Sequence, residues 1–157
     1  MLNEYLQFAS TRSIEKTENF NLSELLITTV AQYENKEIAT DIPEKLYLDG
    51  RKNLLQRCLN NLIDNSIKYS QNILISLKKS DNTITIVIDD DGPGIHKNER
   101  ENVFKPFYKI DKSRGDSKSS VGLGLSIASD IIRSHGGNIK LETSPQKGLR
   151  VKVFLPF

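Results

Sequence analysis

The sequence predicts an α+β domain: a two-layer α/β sandwich with a mixed, mostly antiparallel sheet of about five strands, covered on one face by about three helices. Three observations carry that expectation. Arg51–Tyr69 and Gly122–His135 repeat their apolar positions with the ~3.6-residue period of helices packed on a core. Asn72–Lys78 and Thr83–Asp89 both alternate and flank an Asp81-Asn82 turn, as an antiparallel hairpin does. Two closing runs, Asn138–Thr143 and Leu149–Leu155, are joined by a turn containing Pro145 and Gly148.

Taken in order, residues 1–10 place Leu2, Tyr5, Leu6 and Ala9 on one helical face. The run is short and unpaired, so it is expected to be the end of a longer helix from a preceding domain. Residues 11–17 are polar and expected to be a linker. Asn21-Leu22-Ser23 offers a helix cap, and Leu22–Tyr33 follows with helical spacing. Glu37–Asp41 and Lys45–Leu48 are short strand candidates separated by Pro43, and Asp49-Gly50 is a turn signal. Thr83–Asp89 is rich in β-branched residues, which suits an inner strand. The stretch from Ile95 to Val121 has little regular pattern beyond a helical turn at Lys97–Val103. Loops this long inside compact domains are functional or disordered. Gly136-Gly137 stops the last helix.

Composition narrows the function classes. A chain of 157 residues is one domain by length and can bury a proper core. A net charge of +2 is too small to argue for nucleic acid. One cysteine excludes an internal disulfide and suits a reducing compartment. It lies on the apolar stripe of the central helix, where a small core residue is expected. No run approaches the ~18 apolar residues of a membrane span, and no signal peptide opens the chain. This polypeptide is expected to be soluble, whatever a longer parent does.

The chemistry begins in the central helix. Leu55, Cys58, Leu59, Leu62 and Ile63 form its apolar stripe. Arg57, Asn61, Asn65 and Lys68 lie beside that stripe, within roughly 80° of arc. Asparagine is a poor helix former, so two of them one turn apart point to amide oxygens that hold a metal or phosphate. A merely solvated edge is the alternative. Asp89-Asp90-Asp91-Gly92-Pro93-Gly94-Ile95 closes the inner strand with carboxylates and a turn. Asp90 would accept a hydrogen bond from a ligand amine, or the three would simply be exposed. Gly122-Leu123-Gly124-Leu125 opens a helix, where free N–H groups and the dipole favour a phosphate. Phe104-Lys105-Pro106-Phe107-Tyr108 puts three aromatics in a polar loop. Lys109, Lys112, Arg114 and Lys118 follow, interleaved with Asp111 and Asp116.

Together these motifs resemble the catalytic ATP-binding domain of bacterial sensor histidine kinases, of the EnvZ-like osmosensor type, within the gyrase, Hsp90, histidine kinase and MutL superfamily (the Bergerat fold). NLIDNSIKY is similar to the N box, DDDGPGI to the first glycine box, FKPFY to the F box and GLGLSI to the second glycine box. GLRVKVFLP is similar to the terminal glycine-strand motif. The resemblance covers residues 18–157, and LNEYLQFAS resembles the end of the second helix of the dimerisation and histidine-bearing domain.

The resemblance implies ATP or ADP and Mg²⁺ as ligands. Asn65 would ligate the metal, with Asn61 assisting. Lys68 and Tyr69 would contact phosphates. Asp90 would read the adenine amine, with Gly92, Gly94 and Ile95 lining the base pocket. Residues 95–121 would form the ATP lid, anchored by Phe104 and Phe107. Lys109 or Arg114 would reach the γ-phosphate, and Gly122, Leu123, Gly124 and Leu125 would cradle the phosphate tail. Ser120 stands where the family commonly has a glycine, which implies a stiffer lid hinge. The superfamily's hydrolases place a glutamate four residues before the metal asparagine, and Asn61 stands there instead, so transfer rather than hydrolysis is implied. His96 and His135 lack the acceptor's His-Glu/Asp-x-x-x-Pro context, and His135 is expected to make a dipole contact at its helix end. The acceptor is therefore expected on the parent's own dimerisation and histidine domain. A response-regulator receiver domain would be the further partner. The parent is expected to be a homodimeric inner-membrane sensor, with this fragment monomeric, cytoplasmic and unable to autophosphorylate alone. A serine kinase of the anti-sigma-factor type and a non-catalytic nucleotide-binding module are the alternatives.

Overall fold

The computed structural model describes residues 15–110 and 123–157. The expected helix end at residues 1–10 lies outside them. The first strand, β1 (Glu18–Asn21), leads directly into α1 (Leu22–Ala31). Strands β2 (Ile38–Asp41) and β3 (Tyr47–Gly50) precede the long helix α2 (Lys52–Tyr69). The hairpin is β4 (Ile73–Ser80) and β5 (Thr83–Asp90). Two single 3-10 turns at Lys97–Glu99 and Asn102–Phe104, then α3 (Gly124–Ser134), β6 (Asn138–Thr143) and β7 (Leu149–Pro156), complete the described residues.

The main sheet has the order β2-β4-β5-β7-β6. Its β2–β4 pair is parallel and the rest are antiparallel, as the sequence led one to expect. A second, two-stranded sheet pairs β1 with β3. This part was not foreseen, and it corrects one reading. Asp49 and Gly50 are not a turn; they end β3, opposite Asn19 and Glu18.

Alternation decides which sheet face is covered. Ile73, Ile75 and Leu77 on β4, Ile84, Ile86 and Ile88 on β5, and Val151, Val153 and Leu155 on β7 are all buried. They share one core with Leu55, Cys58, Leu59, Leu62 and Ile63 of α2 and with Ile127, Ala128, Ile131 and Ile132 of α3. The alternate residues Leu74, Ser76, Thr85, Val87, Lys152 and Phe154 are only half-buried, which leaves the other sheet face to solvent. Asn21 caps α1 by accepting from Glu24 N–H at 3.4 Å.

α2 and α3 run antiparallel along a shared seam. Arg51 meets Ser134 and His135 at one end, Cys58 Sγ lies 3.7 Å from the Ala128 carbonyl midway, and Asn61 faces Gly124 at the other. The thiol is fully buried, and burial pushes its pKa far up, so Cys58 is the inert core residue expected.

His135 is not the dipole contact expected, because that role needs an imidazolium. Its Nδ1 lies 2.8 Å from the Ile131 carbonyl and so carries the proton, while Nε2 accepts from Arg51 N–H at 3.0 Å. Burial lowers its pKa, and the nearby Arg51 charge adds to that, against opposing effects from Ile131 and Glu15. A base with a depressed folded-state pKa contributes stability that is present above its ordinary pKa of about 6.5 and is lost as pH falls through the folded value. Chemical denaturation should therefore show the wild type losing stability below about pH 6.5 relative to a His135→Asn variant. Parallel pH profiles for the two proteins would refute this.

Candidate functional site

The three consecutive aspartates at the end of β5 do three different jobs. Asp89 faces the open side of the sheet and forms a bidentate ion pair with Arg150, at 2.6 and 2.9 Å. Asp91 accepts from Gln71 N–H and Asn72 N–H, both at 3.0 Å, and from Asn72 Nδ2 at 2.7 Å. Those hydrogen bonds hold its carboxyl down at about 2. Asp90 is 3% exposed, and its Oδ1 accepts from Gly92 N–H at 2.9 Å and Leu149 N–H at 3.0 Å. Both bonds fall on one oxygen, Oδ1.

Asp90 is held by the turn between β6 and β7. Ser144 Oγ donates to the Asp90 carbonyl at 2.6 Å and accepts from Gly148 N–H at 3.0 Å. A Cβ on Gly148 would sit 2.2 Å from the Asp90 carbonyl oxygen, 2.5 Å from Asp90 Oδ1 and 2.6 Å from Gly92 N. A Cβ on Gly92 would sit 2.6 Å from the Tyr69 carbonyl oxygen. Gly94 has φ +72° and packs against Gly148. The first glycine turn is thus pressed between the end of α2 and the last hairpin. Sequence reasoning placed Ser144 nowhere and gave Gly148 only a turn and a motif. Their partner lies more than fifty residues away, and no local pattern announces it.

Asn61 and Asn65 are half-buried on α2, and Lys68 and Tyr69 are exposed. Lys68 Nζ lies 5.2 Å from the centroid of the Tyr69 ring. Among the described residues, the Asn61 amide nitrogen is buried without a hydrogen-bond partner. Such an orphan is costly, and turning the amide by 180° would put an oxygen in its place. The neighbouring Asp64 is drawn away: Tyr33 O–H, just past the end of α1, donates to it at 2.8 Å. Burial and that carboxylate push the Tyr33 hydroxyl pKa strongly up.

Gly124 opens α3 opposite Asn61, their Cβ positions 4.0 Å apart. The helix has no side-chain cap at Leu123 and no acidic residue in its first turn, so neither satisfies its N-terminal amides or offsets its dipole there. Leu123 is 2% exposed and Leu125 packs partly against the core. Leu123 can therefore offer a ligand its backbone only. Gly122 lies outside the described residues, as do Arg114, Lys112, Lys118 and Ser120.

The aromatic box also needs correction. Val103 is buried, and Phe104 and Tyr108 pack against the core. Tyr108 O–H donates to the Glu99 carboxylate. Phe107 is instead 56% exposed, with φ +65°, so Phe104 and Tyr108 anchor this segment and Phe107 does not. Ile95 is half-buried against the core, and its carbonyl accepts from Arg100 Nε at 3.0 Å. Arg100 also donates to Thr143 Oγ1 at 2.9 Å, which ties the segment after the glycine turn to β6. Lys109 is engaged in an interaction of its own.

No group of three or more His, Cys, Asp or Glu side chains assembles as a metal cage among the described residues. An ion at α2 would draw on neutral amides and on ligand oxygens, the donor set that suits Mg²⁺ with a polyphosphate.

Residues 50–157 match the family described as histidine kinase-, DNA gyrase B- and HSP90-like ATPase. The chain belongs to that family. Among relatives of this ATPase domain, the sensor histidine kinase CpxA of Escherichia coli K12 is 37% identical over 128 residues, which is 80% of this chain and 28% of CpxA. The chain thus spans well under half of the curated relative. Among solved structures, the catalytic domain of histidine kinase ThkA aligns with a TM-score of 0.79 at 26% identity, covering 90% of this chain and 95% of ThkA's. The histidine kinase domain of the E. coli osmosensor EnvZ aligns with a TM-score of 0.67 at 31% identity, covering 88% of each chain. The domain described above is therefore of the sensor-histidine-kinase catalytic type, and it is an ATP-binding fold. No helix among its described residues is long and apolar enough to cross a membrane.

Proposed function

We propose that this domain binds Mg-ATP and delivers the γ-phosphoryl group to a histidine on a separate domain of its parent. The observation that carries the reading is the approach of Asn61, one turn before Asn65 on α2, to the start of α3 at Gly124, where Leu123 supplies no side-chain cap. The Asp90 carboxylate, fixed through Oδ1, supplies the base end of the site. Asp90 Oδ2 accepts from the adenine amine, while Gly92 and Gly94 let the base approach the backbone. Gly124 and the amides after it take the phosphate tail, with Lys68 and Tyr69 alongside. Lys109 and Arg114 are the cations assigned to the γ-phosphate. Asn65, with Asn61, holds Mg²⁺, which when bound neutralises charge on the phosphates and orients them. The phosphoryl P–O bond to the β-phosphate breaks, a P–N bond forms on the acceptor imidazole, and ADP departs with the electron pair.

The same residues argue against hydrolysis. Asn61 cannot take a proton from water, and Asp64 is bound to Tyr33. Phosphoryl transfer needs chiefly positioning and charge stabilisation, which these groups supply. Residues 1–10 are assigned to the end of the dimerisation and histidine domain, 11–17 to a linker and 18–157 to the catalytic domain. The parent is read as a dimeric inner-membrane sensor that faces the cytoplasm with this domain and passes phosphate on to a response-regulator aspartate.

Incubation with γ-labelled ATP and Mg²⁺ tests the reading. The chain alone should acquire no acid-labile label, and an added histidine domain should acquire it. Label on the chain itself, or none on the added domain, would refute transfer between domains.

A further inference from the structure

α2 has no cap of its own. Arg51 at the N-cap makes no side-chain cap bond, and the first turn holds no acidic residue. The cap comes from 38 positions earlier: Glu15 Oε2 accepts from Asn53 N–H at 2.8 Å. Its Oε1 accepts from Leu54 N–H at 3.0 Å. One carboxylate thus satisfies two orphan donors and faces the positive end of the helix dipole. The surrounding groups form a tight knot. Arg51 donates from its guanidinium to the Ser134 carbonyl at 3.0 Å and to Ser134 Oγ at 2.5 Å, and from its backbone to His135 Nε2 at 3.0 Å. An open cleft of about 460 Å³ is lined by Glu15, Thr17, Asp49, Arg51, Ser134 and His135 among others.

This knot sits at one end of the α2–α3 seam and the Asn61–Gly124 approach at the other, about 15 Å along the axis. A helix is stiff along that axis, so a shift or rotation at Asn53 appears at Asn61 and Asn65. Mg²⁺ tolerates little departure from ideal octahedral geometry.

We propose that Glu15 is a positioning residue for the nucleotide site. Its carboxylate holds the start of α2, where Arg51 grips the end of α3, so loss of that hold changes nucleotide affinity at the other end of the seam. The inference rests on the nucleotide reading above. The coupling is reciprocal: bound nucleotide tightens the hold of Glu15 on the helix.

The test uses the whole 157-residue chain, with Mg²⁺ and a non-hydrolysable ATP analogue as probe. Calorimetry reads affinity, and hydrogen exchange reads the Asn53 and Leu54 amides. Glu15→Ala should speed exchange at both amides and weaken binding roughly three- to ten-fold. Glu15→Gln, which retains an acceptor oxygen, should fall between. Added nucleotide should slow exchange at both amides in the wild type but not in Glu15→Ala. Adding Asn53→Asp to Glu15→Ala returns negative charge to the helix start and should restore the melting temperature while affinity stays weak. Faster exchange with unchanged affinity overturns the proposal. So does affinity that recovers together with the melting temperature, which would make Glu15 a structural cap only. A wild-type chain that binds no nucleotide overturns the nucleotide reading itself.

Discussion

Replacing Asn65 with alanine is expected to stabilise α2 while leaving the domain nearly inert. Asparagine is a poor residue for a helix interior, and alanine there is better by roughly 0.5 kcal/mol. For a domain of this size that raises the melting temperature by about 1–2 °C. Phosphotransfer to an added histidine domain should fall by about two orders of magnitude or more, since ~2.7 kcal/mol of transition-state stabilisation is a hundredfold in rate. Opposite signs are the point of the experiment. A lesion acting through the fold would lower stability and activity together. Thermal melts and labelled-ATP assays on the same preparation decide the matter, and transfer within about threefold of wild type would remove Asn65 from the metal site.

Gly148→Ala is expected to cause a large loss of stability. The new methyl group would stand 2.2 Å from one main-chain atom and 2.6 Å from another, with the Asp90 carboxylate at 2.5 Å. No flexible side-chain tip is available to yield. The Asp90 carbonyl accepts from Ser144, and Oδ1 accepts from Leu149 and Gly92, so any relief breaks a buried hydrogen bond. Overpacking combined with that loss costs at least ~3 kcal/mol, or a melting temperature lower by about 6–12 °C. Differential scanning calorimetry reads it directly. A variant that melts within about 2 °C of wild type would show that the turn has room.

How much of this was legible follows from distance along the chain. The hairpin, the last two strands and α2 were readable because their signals repeat within a few residues. The two asparagines stood out because they violate the preference of the helix that carries them. β1 gave no such signal: four residues with one buried side chain, Phe20, show no period. Its partner made Asp49-Gly50 a strand end where local chemistry reads a turn. Glu15 capping α2, Ser144 holding Asp90 and Gly148 admitting both are non-local. A glutamate in a polar stretch looks like any other until the helix start it serves is placed beside it. Phe107 was misjudged for a related reason. Three aromatics in a loop promise burial, but the pattern does not say which of them turns outward.

One thiol, buried midway along the α2–α3 seam, gives the protein a chemical clock. Cys58 can react only when the core around it opens, because both its exposure and its ionisation are suppressed while it is closed. The rate at which a thiol reagent consumes it therefore reads opening of the core at the α2–α3 seam, whose two ends are the Glu15 knot and the Asn61–Gly124 approach, without any label being introduced.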